Sequence, residues 1–362
     1  MSSRDLYFGI SPAPYRVDLC NWLYTQGNCE IFHLENPPGV LAFDVDAWKG
    51  EMVFEYKTYP SISFSLPSIR FLSALLDLYQ PRKVYVSEFS ATCVLMCLLK
   101  RLKKKEFQVI SFCDDSPDMI AGNDYSRRHR MARRFVPRLV DNLVLCNTET
   151  VRWYQQRFGK GVYFPIIADE RRFRERLVQA IPKAEMLLDT YGLWEMPVIL
   201  YVGRLVPEKQ VDFILRAYAP LKDRARLVVV GEGECRSELE SMDRAMGLNV
   251  IFAGRKSGED LLAWYVLGDM LLLPSRVEAF GAVVNEALMA GLVPIVSDRV
   301  GSKDLIAEDT GAVLPADSPF RWTTAIQELF PRILPKRAPL PLKPCRMPFS
   351  FESALNDAVA HL

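Results

Sequence analysis

Two carboxylates flank the start of a predicted helix in the stretch from Leu271 to Gly291, and their spacing suits ligand binding. Glu278 and Glu286 stand eight positions apart, the first before Gly281 and the second beyond it. In a helix of about 3.6 residues per turn that begins near Gly281, Glu286 lies about one and a half turns inside, so both acids can border one pocket. Because glycine carries no side chain, an anionic or polyhydroxylated ligand can approach the N–H groups at the helix start.

A pair of cations follows an apolar run earlier in the same half of the chain. Arg204 and Lys209 are five positions apart across a turn that contains proline. Arginine offers a planar fork of donors and lysine a compact charge, so the pair suits a diphosphate. Taken alone, Lys209 would more simply cap or solvate a helix start. Together with the two carboxylates, the pair favours the phosphate-binding interpretation.

Two further turns in this half carry residues whose function the sequence leaves open. Gly231 and Gly233 form a G-x-G turn after an apolar run. This pattern lines some nucleotide pockets, but as often it only joins a strand to a helix. Arg255 and Lys256 follow the next such run. There they can flank a nucleobase or form a solvated surface turn.

Short apolar runs separated by helical stretches must position these residues, and they recur in both halves of the chain. Such alternation predicts parallel β-α units, with ligands at the carboxyl ends of the strands. The strands predicted in the first half cover residues 6–10, 30–33, 52–56, 84–86, 109–112, 143–146 and 163–167. Those predicted in the second half cover residues 198–202, 227–230, 250–253, 270–273, 293–297 and 312–314. A further helix is predicted at 350–360, after a proline-rich tail.

Composition limits the class of protein. At 362 residues the chain exceeds one ordinary core of about 150 residues, which predicts two domains. The formal net charge of +1 argues against a nucleic-acid-binding protein. Eight cysteines without a C-x-x-C pair are typical of reduced thiols, and three histidines leave little material for a histidine-based metal site. Without a signal-peptide pattern or an apolar run of about 20 residues, the protein is expected in the cytoplasm.

Two basic clusters stand out against this balanced charge. One runs from Lys100 to Lys105 and the other from Arg127 to Arg138, where Met131 and Phe135 place apolar side chains among the cations. Such helices suit docking on an anionic membrane that carries a lipid-linked acceptor, which would make the protein peripheral on the inner face of the membrane. A solvated helix face is the alternative.

Several motifs between Val198 and Leu314 occur in a specific order and spacing. They are G-R-L-V-P-E-K, V-V-V-G-E-G, F-A-G-R, L-L-P-S-R-V-E-A-F-G-A-V-V-N-E-A-L-M-A-G-L-V-P-I-V-S-D and G-S-K-D-L-I. This set closely resembles glycosyltransferase family 4, retaining enzymes of the GT-B fold. The first half matches more loosely, through P-A-P-Y-R-V-D-L-C-N-W-L, which is similar to the first loop and helix of the family's polysaccharide-assembling members. The resemblance implies an α/β, GT-B architecture, with two Rossmann-like doubly wound domains that face each other across a cleft.

The resemblance also implies roles for single residues. Arg204 and Lys209 match the cations that hold the donor diphosphate and stabilise the charge developing on it. Glu278 matches the first acid of the family's E-x7-E signature, which faces the donor sugar, and Glu286 matches the second, which binds ribose hydroxyls. The further residues expected around the donor are Gly203, Gly231, Gly233, Arg255, Lys256, Phe280, Gly281 and Ala282. No cofactor or metal is expected, because two cations and a helix N-terminus take that part.

Two departures from the family's pattern lie in the first half, where the resemblance implies contacts with acceptor or sugar. The family's first loop is often rich in glycine, whereas here two prolines leave Gly9 as the nearest glycine, before Tyr15 and Arg16. The family often places a histidine after a later strand, whereas here Cys113 and Asp114 stand there. Asp114 could bind a sugar hydroxyl or cap the following helix. The change could alter the donor sugar or weaken activity.

The sequence therefore predicts an N-terminal acceptor-binding domain at residues 1–175 and a C-terminal donor-binding domain at 176–345, with a tail helix at 346–362 that packs back on the first. By resemblance, the expected enzyme is a retaining, metal-independent hexosyltransferase. It would move a sugar from a UDP- or GDP-linked donor to a saccharide or lipid-linked acceptor in cell-surface glycan biosynthesis, such as that of lipopolysaccharide. The alternatives are a catalytically silent scaffold of the same fold and another sugar-nucleotide enzyme.

Overall fold

The computed structural model describes residues 3–37, 49–121 and 127–362. The chain divides into two compact units, which we call the N-terminal unit (Met1–Ala168 with Ser353–Leu362) and the C-terminal unit (Asp169–Glu352). Each unit contains one parallel sheet with helices packed against it. The sequence-based boundary lay at 175/176, whereas the two units divide between Ala168 and Asp169.

The sheet of the N-terminal unit has seven strands among the described residues. They are β1 (Asp5–Gly9), β2 (Cys29–Leu34), β3 (Tyr56–Tyr59), β4 (Lys83–Ser87), β5 (Gln108–Cys113), β6 (Asn142–Leu145) and β7 (Val162–Tyr163). Their spatial order is β3-β2-β1-β4-β5-β6-β7. The α-helices of this unit that precede Ala168 are α1 (Val17–Thr25), α2 (Leu66–Tyr79), α3 (Ala91–Leu102), α4 (Pro117–Ala121), α5 (Arg127–Phe135) and α6 (Thr148–Phe158).

The core of the N-terminal unit explains why its strands are continuous apolar runs. Helices cover a parallel sheet, so side chains on both faces of each strand are withdrawn from water. Leu6, Val84 and Val109 on three adjacent strands are fully buried. Leu76 of α2 and Met96 of α3 belong to the same hydrophobic cluster. The loops that follow β1, β4 and β5 therefore extend from strands that are fixed in a packed core.

The C-terminal unit has a six-stranded parallel sheet. Its strands are β8 (Val198–Val202), β9 (Arg226–Val230), β10 (Ile251–Gly254), β11 (Met270–Leu273), β12 (Val293–Ser297) and β13 (Ala312–Leu314), in the order β10-β9-β8-β11-β12-β13. Its helices are α7 (Glu170–Gln179), α8 (Ile181–Tyr191), α9 (Val211–Tyr218), α10 (Arg236–Met246), α11 (Gly258–Leu267), α12 (Ala282–Met289) and α13 (Pro319–Leu329). A last helix, α14 (Phe351–Ala360), ends the chain.

Two predicted strands of the first half were misplaced. The strand expected at residues 52–56 begins only at Tyr56, because the backbone N–H of Val53 donates to the side chain of Asn21 at 2.7 Å and not to a neighbouring strand. The strand expected at 163–167 ends at Tyr163. There Pro165 supplies no N–H, and the N–H of Ile167 turns back to the Pro165 carbonyl at 3.0 Å.

A buried ion cluster ties the proline-rich tail to the C-terminal unit. Asp269, directly before β11, accepts from Lys336 at 2.6 Å and lies 3.0 Å from the ammonium of Lys343. The three side chains are 0%, 3% and 8% exposed, respectively. Asp269 also accepts from the N–H of Val198, the first residue of β8, at 2.8 Å. The tail is thus anchored at the amino ends of β8 and β11.

The chain's end contacts the N-terminal unit at the amino end of a strand. The carbonyl of His361, just after α14, accepts from the side chain of Asn142 at 3.0 Å. Residues from Ser353 onward group with this unit. No helix in the described ranges 3–37, 49–121 and 127–362 combines the length and apolar character needed to span a membrane.

Candidate functional site

The candidate site of the C-terminal unit lies at the carboxyl ends of β8 and β11. These strands are neighbours, but β8 is followed toward one side of the sheet by β9 and β10, and β11 toward the other by β12 and β13. The loops after such a pair diverge and leave a crevice, the usual ligand position of an open α/β sheet. Arg204 and Lys209 lie in the loop after β8, and Glu278 lies in the loop after β11.

An ion pair joins these two loops. The ammonium of Lys209 donates to the Oε2 atom of Glu278, and the two side chains are 14% and 19% exposed. A backbone hydrogen bond of 2.8 Å from Arg276 N–H to the Glu208 carbonyl holds the loops together beside the pair. Two residues that the sequence analysis named separately, Lys209 and Glu278, are therefore in direct contact.

Arg204 stands beside this ion pair with its side chain exposed. Its carbonyl accepts a 2.7 Å hydrogen bond from the hydroxyl of buried Tyr201, which fixes the backbone of the turn. Burial raises the pKa of that hydroxyl; the charge of Glu278 raises it further and the charge of Arg204 opposes the rise. Both charges therefore lie within electrostatic reach of one buried group.

Gly231 and Gly233 are required by the close approach of two loops. A Cβ on Gly231 would lie 1.8 Å from the carbonyl oxygen of Gly203, and one on Gly233 would lie 2.3 Å from that of Leu205. The N–H of Leu205 donates to the carbonyl of Glu232 at 2.9 Å. The G-x-G turn thus supports the loop that carries Arg204, a function that its sequence pattern alone left open.

The turn before α12 also depends on glycine. Gly281 has φ of +88° and precedes the first residue of the helix, Ala282. A Cβ there would lie 3.1 Å from Cγ of Glu278, so a larger residue would strain the backbone and press on the carboxylate. Next to Gly281, the carbonyl of buried Phe280 accepts from Ser302 N–H at 2.8 Å. The first-turn N–H groups of α12 lack intrahelical acceptors, which makes this a suitable anion-facing end.

Glu286 has its own partner inside the unit. The hydroxyl of Tyr265 on α11 donates to its Oε2 atom at 2.6 Å, and Tyr265 is fully buried. Burial raises the pKa of Glu286, while the hydrogen bond from Tyr265 and the charge of Arg176 lower it. The carboxylate is therefore held in a fixed orientation on α12.

Arg255 and Lys256 follow β10, two strands away from β8 in the sheet. Arg255 is exposed and Lys256 half-buried. A 3.0 Å hydrogen bond from Gly231 N–H to the Gly254 carbonyl joins their loop to the loop after β9. Arg255 and Lys256 thus lie at the same, carboxyl end of the sheet as Arg204. The ion pair of Lys209 and Glu278, in contrast, lies after β8 and β11, at least two strands away from β10.

A second pocket lies at the carboxyl ends of β1, β4 and β5 in the N-terminal unit. It brings together three residues that the sequence analysis named, Tyr15, Arg16 and Asp114. Arg16 and Asp114 form a 2.6 Å ion pair, although 98 positions separate them. Gly9 belongs to the same edge, where a Cβ would lie 2.7 Å from the ring of His33. Gly9 is therefore needed for packing against that buried ring.

The structure contradicts one of the two interpretations of Asp114. The helix α4 is capped by Ser116, whose hydroxyl accepts from the N–H of Met119 at 3.2 Å. Asp114 instead points its carboxylate to Arg16 at the pocket. The helix-capping interpretation of Asp114 was thus wrong, because a residue two positions later takes that hydrogen bond.

Glu88 is a pocket residue that the sequence analysis missed. It follows β4 with φ of +56°, lines the same pocket, and its Oε1 atom accepts from the N–H of Asp114 at 3.1 Å. Burial, and after it the charge of Asp114, raise the pKa of Glu88 to about 8. The only signal in the sequence was an acidic residue directly after a buried strand, on the edge where ligands bind.

Glu88→Gln is expected to change how stability depends on pH. A carboxyl group whose folded-state pKa exceeds its unfolded value of about 4.3 stabilises the fold relatively at low pH, and this stability is lost as pH rises toward and through about 8. Glutamine can still accept from Asp114 N–H but never ionises. Melting temperatures of both proteins should match near about pH 4, favour the variant increasingly from there to about pH 8, and differ by a constant amount above that. Parallel curves would contradict this expectation, and the exposed Glu106→Gln serves as control.

The two basic clusters of the first half differ in how their charges are used. Lys100 pairs with Asp141 at 2.7 Å, and Lys103 and Lys105 both pair with Asp77. Three of the five cations from Lys100 to Lys105 are thus paired with two carboxylates of their own unit. The arginines of α5 are exposed except for Arg133.

Potential metal ligands do not gather anywhere in the described ranges. No three His, Cys, Asp or Glu side chains of residues 3–37, 49–121 and 127–362 are placed as a metal site would need. Polar groups converge at the carboxyl ends of the strands in two places: the ion pair Lys209–Glu278 with Arg204, and the group of Arg16, Asp114 and Glu88.

Residues 194–331 match the family model described as glycosyl transferases group 1. The alpha-D-kanosaminyltransferase of Streptomyces kanamyceticus is 36% identical over 171 residues, which cover 43% of either chain. A GDP-mannose-dependent alpha-mannosyltransferase of Mycobacterium tuberculosis is 39% identical over 120 residues, covering 33% of this chain and 30% of the relative. The chain thus spans less than half the length of these curated relatives.

Solved structures resemble the chain over most of its length. HepE of Anabaena in complex with UDP has a TM-score of 0.71 at 16% identity and covers 91% of this chain and 90% of its own. WaaG, a glycosyltransferase involved in lipopolysaccharide biosynthesis, has a TM-score of 0.59 at 17% identity and covers 90% of each chain. At such low identity the likeness shows the fold alone: two Rossmann-like parallel-sheet domains, as in GT-B glycosyltransferases.

Proposed function

We propose that this protein is a retaining hexosyltransferase of glycosyltransferase family 4 that takes its sugar from a nucleotide-diphosphate donor. The observation that carries the proposal is the contact of Lys209 with Glu278, beside Arg204, in the crevice at the carboxyl ends of β8 and β11. These residues lie inside the region that matches glycosyl transferases group 1. Relatives of this region act as sugar transferases by name, which supports the same reaction class here.

The chemistry proposed for the site starts from the leaving group. When the glycosidic bond of the donor breaks, negative charge develops on the diphosphate. Arg204 and Lys209 offer two cations to that charge, and preorganised donors of this kind contribute about 3–4 kcal/mol each to a transition state. The N-terminus of α12 adds N–H donors. With the charge met in this way, the reaction needs no metal ion or cofactor.

The two acids have separate tasks in this proposal. Glu278 faces the transferred sugar and holds Lys209 in position until the diphosphate arrives. Glu286, oriented by Tyr265, accepts hydrogen bonds from the ribose hydroxyls. A carboxylate that accepts two hydroxyl groups of a ribose contributes about 1.5–3 kcal/mol per hydrogen bond.

The donor base is proposed to be uracil or guanine. HepE was solved with UDP, and a relative of the C-terminal region is GDP-mannose-dependent by name. The exposed Arg255 is proposed to flank the base, with Lys256 beside it. Thermal-shift measurements against UDP-, GDP- and ADP-sugars test this directly, because a ligand raises the melting temperature of the state it binds. No shift with any donor, and no release of nucleoside diphosphate, would favour a silent scaffold instead.

The N-terminal unit is proposed to bind a saccharide or lipid-linked acceptor for a cell-surface glycan. Tyr15, Arg16, Glu88 and Asp114 offer hydroxyl, cationic and carboxylate groups in one pocket, a set that suits a polyhydroxylated ligand. A relative in Mycobacterium tuberculosis, 31% identical over 205 residues that cover 52% of either chain, is named as a phosphatidylinositol monomannoside mannosyltransferase. That name supports a lipid-linked acceptor.

A peripheral position on the cytoplasmic face of a membrane fits such an acceptor. On α5, Met131 and Phe135 are 57% and 49% exposed among arginines, so apolar and cationic groups can contact an anionic surface together. Sedimentation with phosphatidylglycerol vesicles, compared with neutral phosphatidylcholine vesicles, tests this position. Equal recovery in both pellets would exclude docking by charge.

Glu286→Gln is expected to weaken nucleotide binding about 10- to 100-fold without unfolding the protein. Glutamine keeps an acceptor for Tyr265 but loses the charge that strengthens hydrogen bonds from ribose. Calorimetric titration with the nucleoside diphosphate selected by the donor panel measures the effect. Glu238→Gln, an exposed position on α10, is the control. Wild-type affinity in the Glu286 variant would remove Glu286 from the site.

A further inference from the structure

A pocket lined by arginines lies on the N-terminal unit, away from the pocket of Asp114. It has a volume of about 570 Å³, and arginines contributed by α5, α6 and the short 3-10 helix after α5 form most of its wall, with the rings of Trp153 and Phe158 between them. The five arginines are Arg130, Arg133, Arg134, Arg138 and Arg157. None of the described residues that line this arginine pocket is an aspartate or a glutamate.

One of the five arginines is used to build the fold. Arg133 is buried and makes two hydrogen bonds to the carboxylate of Asp115, at 2.6 and 2.8 Å. It also donates to the carbonyl of Met119 at 3.0 Å, and Tyr154 of α6 donates to the same Asp115 at 2.6 Å. This buried network fixes α5 against α6, so the arginine pocket has a rigid floor.

Two of the remaining arginines are oriented by aromatic rings. The guanidinium of Arg157 lies 4.5 Å from the ring centroid of Trp153, and that of Arg138 lies 5.0 Å from the centroid of Phe158. A guanidinium held at this distance from a ring is attracted to it and still has N–H groups for an oxyanion. Ring contacts therefore restrict two of the guanidinium groups at the pocket.

The charge of the arginine pocket selects the class of ligand. Arg134, Arg138 and Arg157 are exposed and lie around one cavity, so they repel one another until an anion enters. A carboxylate can engage one fork, whereas a phosphomonoester or diphosphate has enough oxygens for several. Lys100, Lys103 and Lys105, in contrast, already contact Asp141 or Asp77.

We propose that the arginine pocket binds a phosphomonoester or diphosphate group, carried either by a soluble molecule or by a lipid head group. This site is separate from the donor site proposed in the C-terminal unit and does not depend on it. Trp153 and Phe158 would contact the less polar part of the same ligand.

The test compares two variants that lose the same charge from the same part of the chain. The pocket variant is Arg134→Gln, Arg138→Gln and Arg157→Gln. The matched control is Arg127→Gln, Arg128→Gln and Arg152→Gln, three exposed arginines that do not line the pocket. All proteins carry Lys209→Gln, so that diphosphate binding at the proposed donor site is weakened equally. Because Arg138 also donates to the Arg134 carbonyl, a double variant that retains Arg138 guards against misfolding.

Calorimetric titration with inorganic pyrophosphate at about 0.15 M salt, where surface charges are screened beyond about 8 Å, measures binding. We expect the pocket variant and the double variant to lose at least tenfold in affinity, and the control less than twofold. Hydrogen exchange should show protection by pyrophosphate at residues 127–138 and 148–158. Equal losses in the pocket variant and the control, or no binding by the parent protein at millimolar pyrophosphate, would overturn the proposal.

Vesicles distinguish the two sources of the phosphate group. Phosphatidate carries a phosphomonoester, whereas phosphatidylglycerol at matched surface charge carries only a phosphodiester. Preferential binding to phosphatidate that is lost in the pocket variant identifies a lipid head group. Pyrophosphate binding in the pocket without any preference for phosphatidate identifies a soluble ligand.

Discussion

Replacing Lys209 with alanine is expected to lower kcat for sugar transfer by about 10²–10³-fold, the usual cost of removing one donor that stabilises developing charge. Lys209 lies in the loop after β8, and its ammonium contacts Glu278 in the loop after β11. Removing it leaves Arg204 as the sole cation of the pair that the proposal assigns to the diphosphate. The rate should be measured at saturating donor, so that the loss reports on chemistry and not only on binding.

The fold should survive this substitution. The carboxylate of Glu278 is 19% exposed, so water can partly replace the lost ammonium, and the loss in free energy of unfolding should stay below the roughly 3–5 kcal/mol of a fully buried pair. The control is Lys222→Gln, which removes an exposed cation before β9, at the amino ends of the strands of the same sheet. It should leave kcat unchanged. If both variants retained wild-type kcat, the chemistry would not be driven from the phosphate side.

Glu278→Gln separates the two members of the pair. The carboxylate of Glu278 competes with a diphosphate for the ammonium of Lys209 and repels the phosphate charge. The variant should therefore bind nucleoside diphosphate more tightly than the wild type, whereas Lys209→Ala should bind it more weakly. Calorimetric titration of both variants measures the affinity for nucleoside diphosphate. An increase in Glu278→Gln with a decrease in Lys209→Ala would support the assigned geometry, and a change in the same direction in both would contradict it.

The strands of the C-terminal unit could be predicted closely from the sequence. The predicted bounds of β8, β11, β12 and β13 agree with the structure. The first three are buried parallel strands, which are apolar runs that end at glycine, proline or polar residues. The polar residues just after these strands were then the natural candidates for a site. This is why Arg204, Lys209 and Glu278 could be named before their contacts were known.

The contacts themselves could not be predicted, because they depend on how distant segments meet. Lys209 and Glu278 are 69 positions apart, and Arg16 and Asp114 are 98 apart, so spacing along the chain carries no information on either pair. Glu88 was missed for the same reason: its place at the pocket follows from the order of β1, β4 and β5 in the sheet. Hydrophobic periodicity also cannot predict that the N–H of Val53 donates to the side chain of Asn21, so the late start of β3 at Tyr56 could not be predicted.

Asp269→Asn is expected to destabilise the protein by about 3–5 kcal/mol, the largest effect on stability that we predict. Asn keeps an acceptor for the N–H of Val198, but it leaves the ammonium groups of Lys336 and Lys343 buried without a counter-charge. Urea unfolding measures the loss. Lys336→Met should cost less, because Asp269 would still pair with Lys343. The reverse order would show that the carboxylate is not the centre of the cluster.

The pH dependence of stability gives an independent check on this cluster. Burial alone would raise the pKa of Asp269, but Lys343 and Lys336 outweigh burial and hold it below its ordinary value. A carboxyl group with a lowered folded-state pKa stabilises the fold above its unfolded pKa of about 3.9, and this stability is lost as pH falls through the folded value. The wild type should therefore lose stability below about pH 4 more steeply than Asp269→Asn.

The position of Asp269 also predicts what the substitution leaves intact. The cluster lies at the amino ends of β8 and β11, whereas Lys209 and Glu278 lie in the loops at the carboxyl ends of the same two strands. One pair of strands thus separates the residues that hold the tail from those proposed to bind the donor. Under conditions in which Asp269→Asn remains folded, its kcat should equal that of the wild type. A lower kcat in the fully folded variant would mean that the tail influences the donor site through β8 and β11.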